Sequence, residues 1–114
     1  MQFSKALKLN HVFRRLYRKG NSQANRYLVI YARANGSAEN RIGLTVSAKL
    51  GHAVDRNRIR RRLREIYRIH EVQFVPGYDL VVVARSAAMD APYAKLEKAY
   101  LSLMRQLSLW KECE

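Results

Sequence analysis

Three segments of the chain repeat apolar residues at the three- and four-residue spacing of an α-helix. The first is predicted over 10–19, where Asn10 is a candidate N-cap and Gly20 ends the segment. The second is predicted over 53–71, and the third begins at Pro92, which suits the first turn of a helix. The apolar stripe of the third helix comprises Tyr93, Leu96, Tyr100, Leu103 and Leu107.

Three further segments are rich in β-branched and aromatic residues, which predicts strands over 26–34, 41–47 and 78–84. The first two are separated by a short polar loop and are expected to pair as a hairpin. The third is apolar enough to be central in a sheet, and Asp79 at its start is expected to serve a turn. The order α-β-β-α-β-α predicts a single α+β domain over 1–114, built as a two-layer sandwich.

Arginine is concentrated in the second predicted helix, where it provides seven of the fourteen residues of the segment 55–68. At 100° per residue, one side of this helix, within about 80° of Ile59, is apolar. That side carries Ile59, Leu63, Ile66, Tyr67 and His70. The opposite side carries Asn57, Arg60, Arg61, Arg64 and Arg68. A guanidinium can hold phosphate with two parallel hydrogen bonds, so the basic side is predicted to bind phosphate; a merely solvated face is the alternative.

Composition narrows the class of partner. Lys and Arg number 22 against 9 acidic residues, giving a net charge of +13, while 48% of the residues are hydrophobic, which is enough to fold. Nucleic acid is the first candidate partner and an anionic membrane surface the second. No apolar run approaches the roughly 20 residues of a membrane span, and no signal peptide is expected. The only cysteine, Cys113, excludes a disulfide within the chain and fits a reducing cytosol.

The polar residues show no constellation typical of a catalytic site. The nine acids form no tight motif, and His11, His52 and His70 are scattered. Because His70 continues the apolar stripe, a core or boundary role is expected for it. Read from residue types, the chain is a basic binding module without an active site of its own.

Aromatic residues form a second candidate binding surface. Phe13 and Tyr17 lie four residues apart on the first predicted helix, and Tyr27, Val29 and Tyr31 share one face of the first predicted strand. Rings beside cationic side chains hold single-stranded nucleic acid by stacking. Residue types alone favour an ordinary core role at Phe13 and Tyr17, although the hydroxyl groups make Tyr17 and Tyr31 better binding candidates than Phe13.

Two adjacent runs resemble the protein component of bacterial ribonuclease P. They are Ile-Gly-Leu-Thr-Val-Ser-Ala-Lys-Leu-Gly at 42–51 and Ala-Val-Asp-Arg-Asn-Arg-Ile-Arg-Arg-Arg-Leu-Arg-Glu at 53–65. The signature of that family, Arg-Asn-Arg followed by a basic pair and a further Arg, is filled by Arg56, Asn57, Arg58, Arg60, Arg61 and Arg64. Segments 13–20, 24–26 and 79–85 fall in the expected order, so the resemblance covers nearly the whole chain.

The resemblance implies a protein subunit of a ribonucleoprotein endoribonuclease, whose RNA subunit removes the 5′ leader of precursor tRNA with Mg²⁺. The implied RNA-binding residues are Lys49, Arg56, Asn57, Arg58, Arg60, Arg61, Arg64 and Arg68. The implied leader cleft is lined by Phe13, Tyr17, Val29, Tyr31 and Thr45, which reverses the preference for core at Phe13 and Tyr17. Asn57 is also implied as a ligand of a structural metal ion, and Mg²⁺ is expected mainly through the RNA.

The resemblance further implies a left-handed β-α-β crossover, against the general right-handed rule. The expected partners are the catalytic RNA and precursor tRNA, with no membrane and no obligate protein partner, and the expected location is cytoplasmic. Two rival classes are weighed beside it. A ribosomal protein or RNA chaperone fits the composition and fold class equally well, whereas an autonomous metal-dependent nuclease would need clustered carboxylates.

Overall fold

The computed structural model describes residues 4–6 and 21–111, which form a five-stranded sheet covered on one face by two helices. The strands are β1 (Ser4–Ala6), β2 (Asn21–Ala24), β3 (Leu28–Ala34), β4 (Asn40–Thr45) and β5 (Tyr78–Ala84). Their order across the sheet is β1-β4-β5-β3-β2. The pairs β1–β4 and β4–β5 are parallel, and the pairs β5–β3 and β3–β2 are antiparallel.

The predicted hairpin between the first two strands is wrong. β3 and β4 do not pair with each other, because β5 lies between them and pairs with both. The physical reason is the composition of β5, whose residues Leu80, Val81 and Val82 are all buried. A strand that is apolar on both faces is stable only in the middle of a sheet. The prediction that this strand is central is therefore confirmed. β5 separates β3 from β4 and so prevents the predicted hairpin pairing.

The helices are α1 (Ala53–His70) and α2 (Tyr93–Gln106), close to the predicted bounds. The Asp55 carboxylate accepts a hydrogen bond of 3.2 Å from the His52 backbone N–H and so satisfies a donor at the start of α1. Short 3₁₀ turns at Ala48–Leu50, Glu71–Gln73 and Ser86–Asp90 connect the elements. α1 connects the parallel strands β4 and β5, which confirms the β-α-β crossover; its hand stays a prediction from the resemblance.

Two strands escaped the sequence prediction. No element is predicted over the residues of β2, all four of which are exposed. β1 is three residues long. Both are short edge strands, and neither sequence shows the run of alternating apolar residues that identifies a strand. The helix predicted over 10–19 lies outside the described residues.

The two faces of the sheet have different neighbours. Leu28, Ile30, Ile42, Leu80 and Val82 point to α1 and α2 and form the core with the helices' apolar stripes. The opposite face, called here the far face, is set by the alternation along β3, β4 and β5. It comprises Val29, Tyr31, Arg33, Arg41, Gly43, Thr45, Asp79, Val81 and Val83. On the helix side, α1 packs against β4, and α2 packs against β3 and β2.

Candidate nucleic-acid interface

α1 divides into an apolar and a basic side, as its sequence predicts. Ile59, Leu63, Ile66 and Tyr67 are fully buried against the sheet. The exposed side chains of the basic side are Asn57, Arg58, Arg61, Arg64 and Arg68. Arg56, Arg60 and Arg62 lie half-buried at its margins. The helix is therefore anchored through one side and presents guanidinium groups on the other.

Protein contacts occupy only some of these arginines. Arg62 donates from Nη1 to the backbone carbonyl of Ala91 at 3.3 Å, which links α1 to the segment before α2. Arg60 donates from Nη1 to Oδ1 of Asn57 at 3.2 Å. Within the described part of the chain, no hydrogen bond or ion pair holds Arg58, Arg61 or Arg64. These three groups are available to an anionic ligand.

Arg68 is the arginine of this face that carries a carboxylate partner. Its Nη2 and Nε donate to the two carboxylate oxygens of Glu65 at 2.5 and 3.1 Å. The hydrogen bonds from Arg68 lower the pKa of Glu65, and the same contact raises the pKa of Arg68. Both side chains are largely exposed, so the pair contributes little to folding, but it offsets one positive charge of the basic side.

Lys49 and Arg56 lie near the N-terminal end of α1. Lys49 is exposed on the 3₁₀ turn before the helix, and its backbone N–H donates to Oγ of Ser47 at 3.2 Å. Arg56 is half-buried, and its Nε is buried without a hydrogen-bond partner among the described residues. A buried unpaired donor is costly. A phosphate oxygen would satisfy this donor once the side chain turns toward the ligand, so Arg56 is a candidate contact.

Asn57 does not sit among protein groups that suit a metal ion. Its amide oxygen accepts from Arg60, and it is flanked by Arg56 and Arg58. Among residues 4–6 and 21–111, no group of three or more His, Cys, Asp or Glu side chains is arranged to hold a metal ion. The side chains around Asn57 do not by themselves fit a cation, because they carry the same sign of charge.

The far face brings together the predicted cleft residues that the structure describes. Thr45 on β4, Val83 on β5 and Val29 on β3 are in register and form one row across the three strands. Tyr31 is in the next row, where it pairs with the fully buried Val81. Val29, Tyr31 and Thr45 are each half-buried. Phe13 and Tyr17 lie outside the described residues.

The third row of the far face is an ionic cluster that sequence reasoning missed. Asp79 is buried between Arg33 and Arg41, its partners in register on β3 and β4. It forms two hydrogen bonds with Arg41, and Asn35 donates to it from Nδ2 at 3.1 Å. Asp79 therefore joins strands through its side chain, and the turn role expected for it is wrong. A carboxylate within an apolar strand was the available sequence signal, since such a group requires a partner when buried.

His70 has the boundary role that its position on the apolar stripe predicts. It is half-buried, its Nε2 lies 3.1 Å from Oε2 of Glu97, and its ring centroid is 5.9 Å from that of Trp110. It thus joins the end of α1 to α2 and to the segment after α2.

None of the helices in the described part of the chain is both long and apolar enough to cross a membrane.

Comparison with known proteins gives one consistent match. A family model described as Ribonuclease P matches residues 1–108. The Ribonuclease P protein component of Alkaliphilus oremlandii is 43% identical over 103 residues, covering 90% of each chain. That of Clostridioides difficile is 40% identical over 107 residues, covering 93% of this chain and 94% of the relative.

Solved structures agree with the sequence relatives. The RNase P protein of Staphylococcus aureus has a TM-score of 0.86 at 34% identity, covering 93% of this chain and 97% of that one. The RNase P protein from Thermotoga maritima has a TM-score of 0.81 at 30% identity, covering 89% of this chain and 96% of that one. The likeness therefore extends over nearly the whole length of each protein.

Proposed function

Since the chain belongs to the ribonuclease P protein family, and is thus a protein subunit of the endoribonuclease that matures tRNA 5′ ends, we propose that it joins two RNAs. In this proposal, α1 binds the catalytic RNA, and the far face of the sheet together with the adjoining arginines binds the 5′ leader of precursor tRNA. The RNA subunit performs the hydrolysis. The protein contributes binding and placement.

The observation that carries this proposal is the position of the two surfaces. β4 ends at Thr45, and the chain reaches α1 at Ala53 after only seven residues. The row containing Thr45, Val83 and Val29 therefore lies at the same end of the sheet as the first turns of α1. A single strand of RNA that crosses this row comes within reach of the guanidinium groups of α1.

Contact with the catalytic RNA is assigned to Lys49, Arg56, Asn57 and Arg58. Two observations support Arg56 and Arg58 in this role. Nε of Arg56 is buried without a hydrogen-bond partner, and Arg58 is exposed without a side-chain partner within residues 4–6 and 21–111. Arg61 and Arg68 extend the same basic side along the helix. Neutralising phosphates in this way releases condensed counterions, so assembly should weaken steeply with salt.

Contact with the leader is assigned to Val29, Tyr31 and Thr45, together with Arg60 and Arg64. The half-buried Tyr31 ring supplies a surface on which an unpaired base stacks, and Val29 and Thr45 add aliphatic groups beside it. The arginines hold the backbone phosphates. Phe13 and Tyr17 complete the cleft on the strength of the family resemblance. Stacking and phosphate contacts tolerate any base, so this surface would recognise the position of the leader more than its sequence.

Mg²⁺ belongs in this proposal to the RNA. When bound, it would activate water and stabilise the charge that develops on the leaving oxygen. A metal ion near Asn57 would take most of its ligands from RNA phosphates, because the neighbouring protein groups are cationic. The arginines of α1 lower the repulsion between the two RNAs, so less Mg²⁺ would be required for docking. Two observations favour a cytoplasmic location. The reaction of this family is tRNA maturation, and a single cysteine suits a reducing environment.

The experiment that tests this proposal compares two ligands. The affinity of the reconstituted RNA–protein complex is measured for a precursor tRNA and for the same tRNA without its leader, and both are repeated with the catalytic RNA alone. The proposal predicts that adding the protein raises affinity for the precursor more than for mature tRNA. Equal gains for both ligands would contradict it, because a leader contact cannot act on a tRNA that lacks one.

A further inference from the structure

A second basic site lies between the β2–β3 turn and the outward side of α2. It is a cavity of about 340 Å³. The lining residues are Asn25, Arg26, Tyr27, Lys95, Lys98, Ala99 and Ser102. None of them belongs to α1 or to the far face of the sheet. Because α2 packs against β3 and β2 whereas α1 packs against β4, the cavity lies on the other flank of the helix layer from the arginines.

The wall of this cavity is fixed by Asn25. Its Oδ1 accepts hydrogen bonds of 3.0 Å from the backbone N–H groups of Tyr27 and Leu28. Its Nδ2 donates to the carbonyl of Ala99 on α2 at 3.1 Å, and Nη1 of Arg85 donates to the Asn25 carbonyl at 3.0 Å. One side chain thus shapes the turn and attaches it to the helix. The cavity is a preformed feature of the fold.

Among the described residues that line the cavity, every charged side chain is positive. Lys95 and Lys98 lie three residues apart on the exposed side of α2, and Arg26 is exposed on the facing turn. No carboxylate is among the lining residues that the structure describes. The acid between the two lysines in sequence, Glu97, faces His70 on α1 instead. Such a site attracts an anion, and none of its described lining residues would neutralise the positive charge.

An aromatic ring lies beside these cations. Tyr27 is half-buried, and the guanidinium carbon of Arg26 is 5.9 Å from its ring centroid. Ser102 adds a hydroxyl group to the opposite wall. A ring, a hydroxyl and three cations are the groups by which proteins hold an unpaired nucleotide: the ring stacks on the base and the cations bind the phosphate. A volume near the lower end of the ~300–1,000 Å³ range of ligand sites suits one nucleotide and excludes a duplex.

We propose that this cavity binds a single unpaired nucleotide of the catalytic RNA, with its phosphate between Lys95, Lys98 and Arg26 and its base against Tyr27. This inference rests on the proposed function. The catalytic RNA is the source because the cavity lies in the helix layer with α1. By contrast, Val29, Tyr31 and Thr45 of the leader surface are on the opposite face of the sheet, and Arg60 and Arg64 are on the other flank of the helix layer. Contacts on both flanks of the helix layer would fix the orientation of the protein on the RNA, which one basic helix alone leaves free to rotate.

The test measures the affinity of the full-length protein for the catalytic RNA over a range of salt concentrations. Lys98→Ala is compared with Lys111→Ala, because both lysines are exposed and each substitution removes one positive charge. We expect Lys98→Ala to weaken binding about threefold and Lys95→Ala plus Lys98→Ala about tenfold, the pair reducing the log–log salt slope by about 2. Lys111→Ala should change affinity less than Lys98→Ala. Alanine favours the helix, so α2 should remain folded, and far-ultraviolet circular dichroism checks this.

The outcomes separate this inference from the proposed function. A wild-type protein that does not bind the catalytic RNA would overturn both. Wild-type binding together with equal effects of Lys98→Ala and Lys111→Ala would overturn the cavity alone.

Crosslinking identifies what occupies the cavity. In a Cys113→Ser background, Ser102→Cys provides a single attachment point for an aryl azide. The inference predicts a crosslink to an unpaired nucleotide of the catalytic RNA in the assembled complex. A crosslink only to precursor tRNA, or to no RNA, would overturn it.

Discussion

Arg41 on β4 and Asp79 on β5 face each other and form a bidentate ion pair. Nε of Arg41 donates to Oδ1 of Asp79 and Nη2 donates to Oδ2, each at 2.6 Å. The Asp79 side chain is only 9% exposed, and that of Arg41 is 38% exposed. The hydrogen bond to Asp79 is also the main reason why the pKa of Arg41 is raised. The pair fastens the parallel strands at the end of the far face that lies away from Thr45.

Removing one member of this pair should destabilise the fold. Arg41→Met leaves a nearly buried carboxylate whose remaining side-chain partner is Asn35. We expect the free energy of unfolding to fall by about 1–3 kcal/mol. This value is smaller than for a fully buried pair because the Arg41 side chain is partly exposed. Urea unfolding measures it. Arg41→Met plus Asp79→Leu should recover part of the loss, since no charge is then stranded. Equal destabilisation by the single and double variants would show that the ion pair is not the cause.

Removing the acid from the arginine face should strengthen RNA binding. Glu65→Gln takes the carboxylate away from Arg68 and raises the net positive charge by one. We expect an affinity for the catalytic RNA about two- to fivefold higher at low salt, the gain shrinking as salt is added. Glu39→Gln, in the loop between β3 and β4, removes the same charge outside α1 and is the control. A gain of equal size in both variants would assign the effect to net charge alone.

The buried phenol of Tyr100 should make folding sensitive to alkaline pH. Burial raises its pKa far above the ordinary value of about 10, and its hydroxyl has no hydrogen-bond partner among the described residues. A group whose pKa is raised in the folded state makes its full contribution to stability at pH values below the pKa that it has in the unfolded chain. Its contribution is lost as pH rises above about 10, where the unfolded chain ionises and the folded chain does not.

Tyr100→Phe should therefore abolish part of the alkaline loss of stability while leaving stability at pH 7 unchanged or higher by up to about 1 kcal/mol. Urea unfolding at pH 7 and pH 11 provides the comparison. A clear loss of stability at pH 7 would mean that the hydroxyl is hydrogen-bonded in the folded protein.

Two sets of arginines on α1 should affect different steps. Arg60→Ala plus Arg64→Ala should weaken binding of precursor tRNA by about 1–3 kcal/mol more than binding of mature tRNA, through lost charge-assisted contacts. Arg58→Ala on the same helix is the comparison and should weaken assembly with the catalytic RNA instead. Equal losses for both tRNAs would remove Arg60 and Arg64 from the leader surface, and unchanged assembly would remove Arg58 from the RNA contact.

The parts of this fold that could be predicted are those with a local pattern. The two sides of α1 follow from helical period, and the central place of β5 follows from its continuous apolar run. The hairpin prediction failed because strand order depends on which strand must be buried on both faces, a comparison between distant segments. β2 was missed because its four residues are exposed and show no apolar alternation, so its strand conformation depends on pairing with the distant residues of β3.

The sites divide in the same way. The arginine face of α1 is contiguous in the sequence, so composition reveals it. The cavity beside α2 is not, because its wall depends on the hydrogen bond between Asn25 and Ala99, which are 74 residues apart. The Arg41–Asp79 pair spans 38 residues. The carboxylate within an apolar strand indicates locally that a partner is required, but it does not identify Arg41 as that partner. Contacts of this kind become visible only when the chain is folded.

Cleavage of precursor tRNA at low Mg²⁺ tests the central claim most directly. The catalytic RNA from the same organism is assayed with and without this protein, and the protein is also assayed alone. We predict that the protein stimulates cleavage at low Mg²⁺, that the stimulation shrinks as Mg²⁺ is raised, and that the protein alone cuts nothing. Tight binding to the catalytic RNA without any stimulation, or cleavage by the protein in the absence of that RNA, would contradict it.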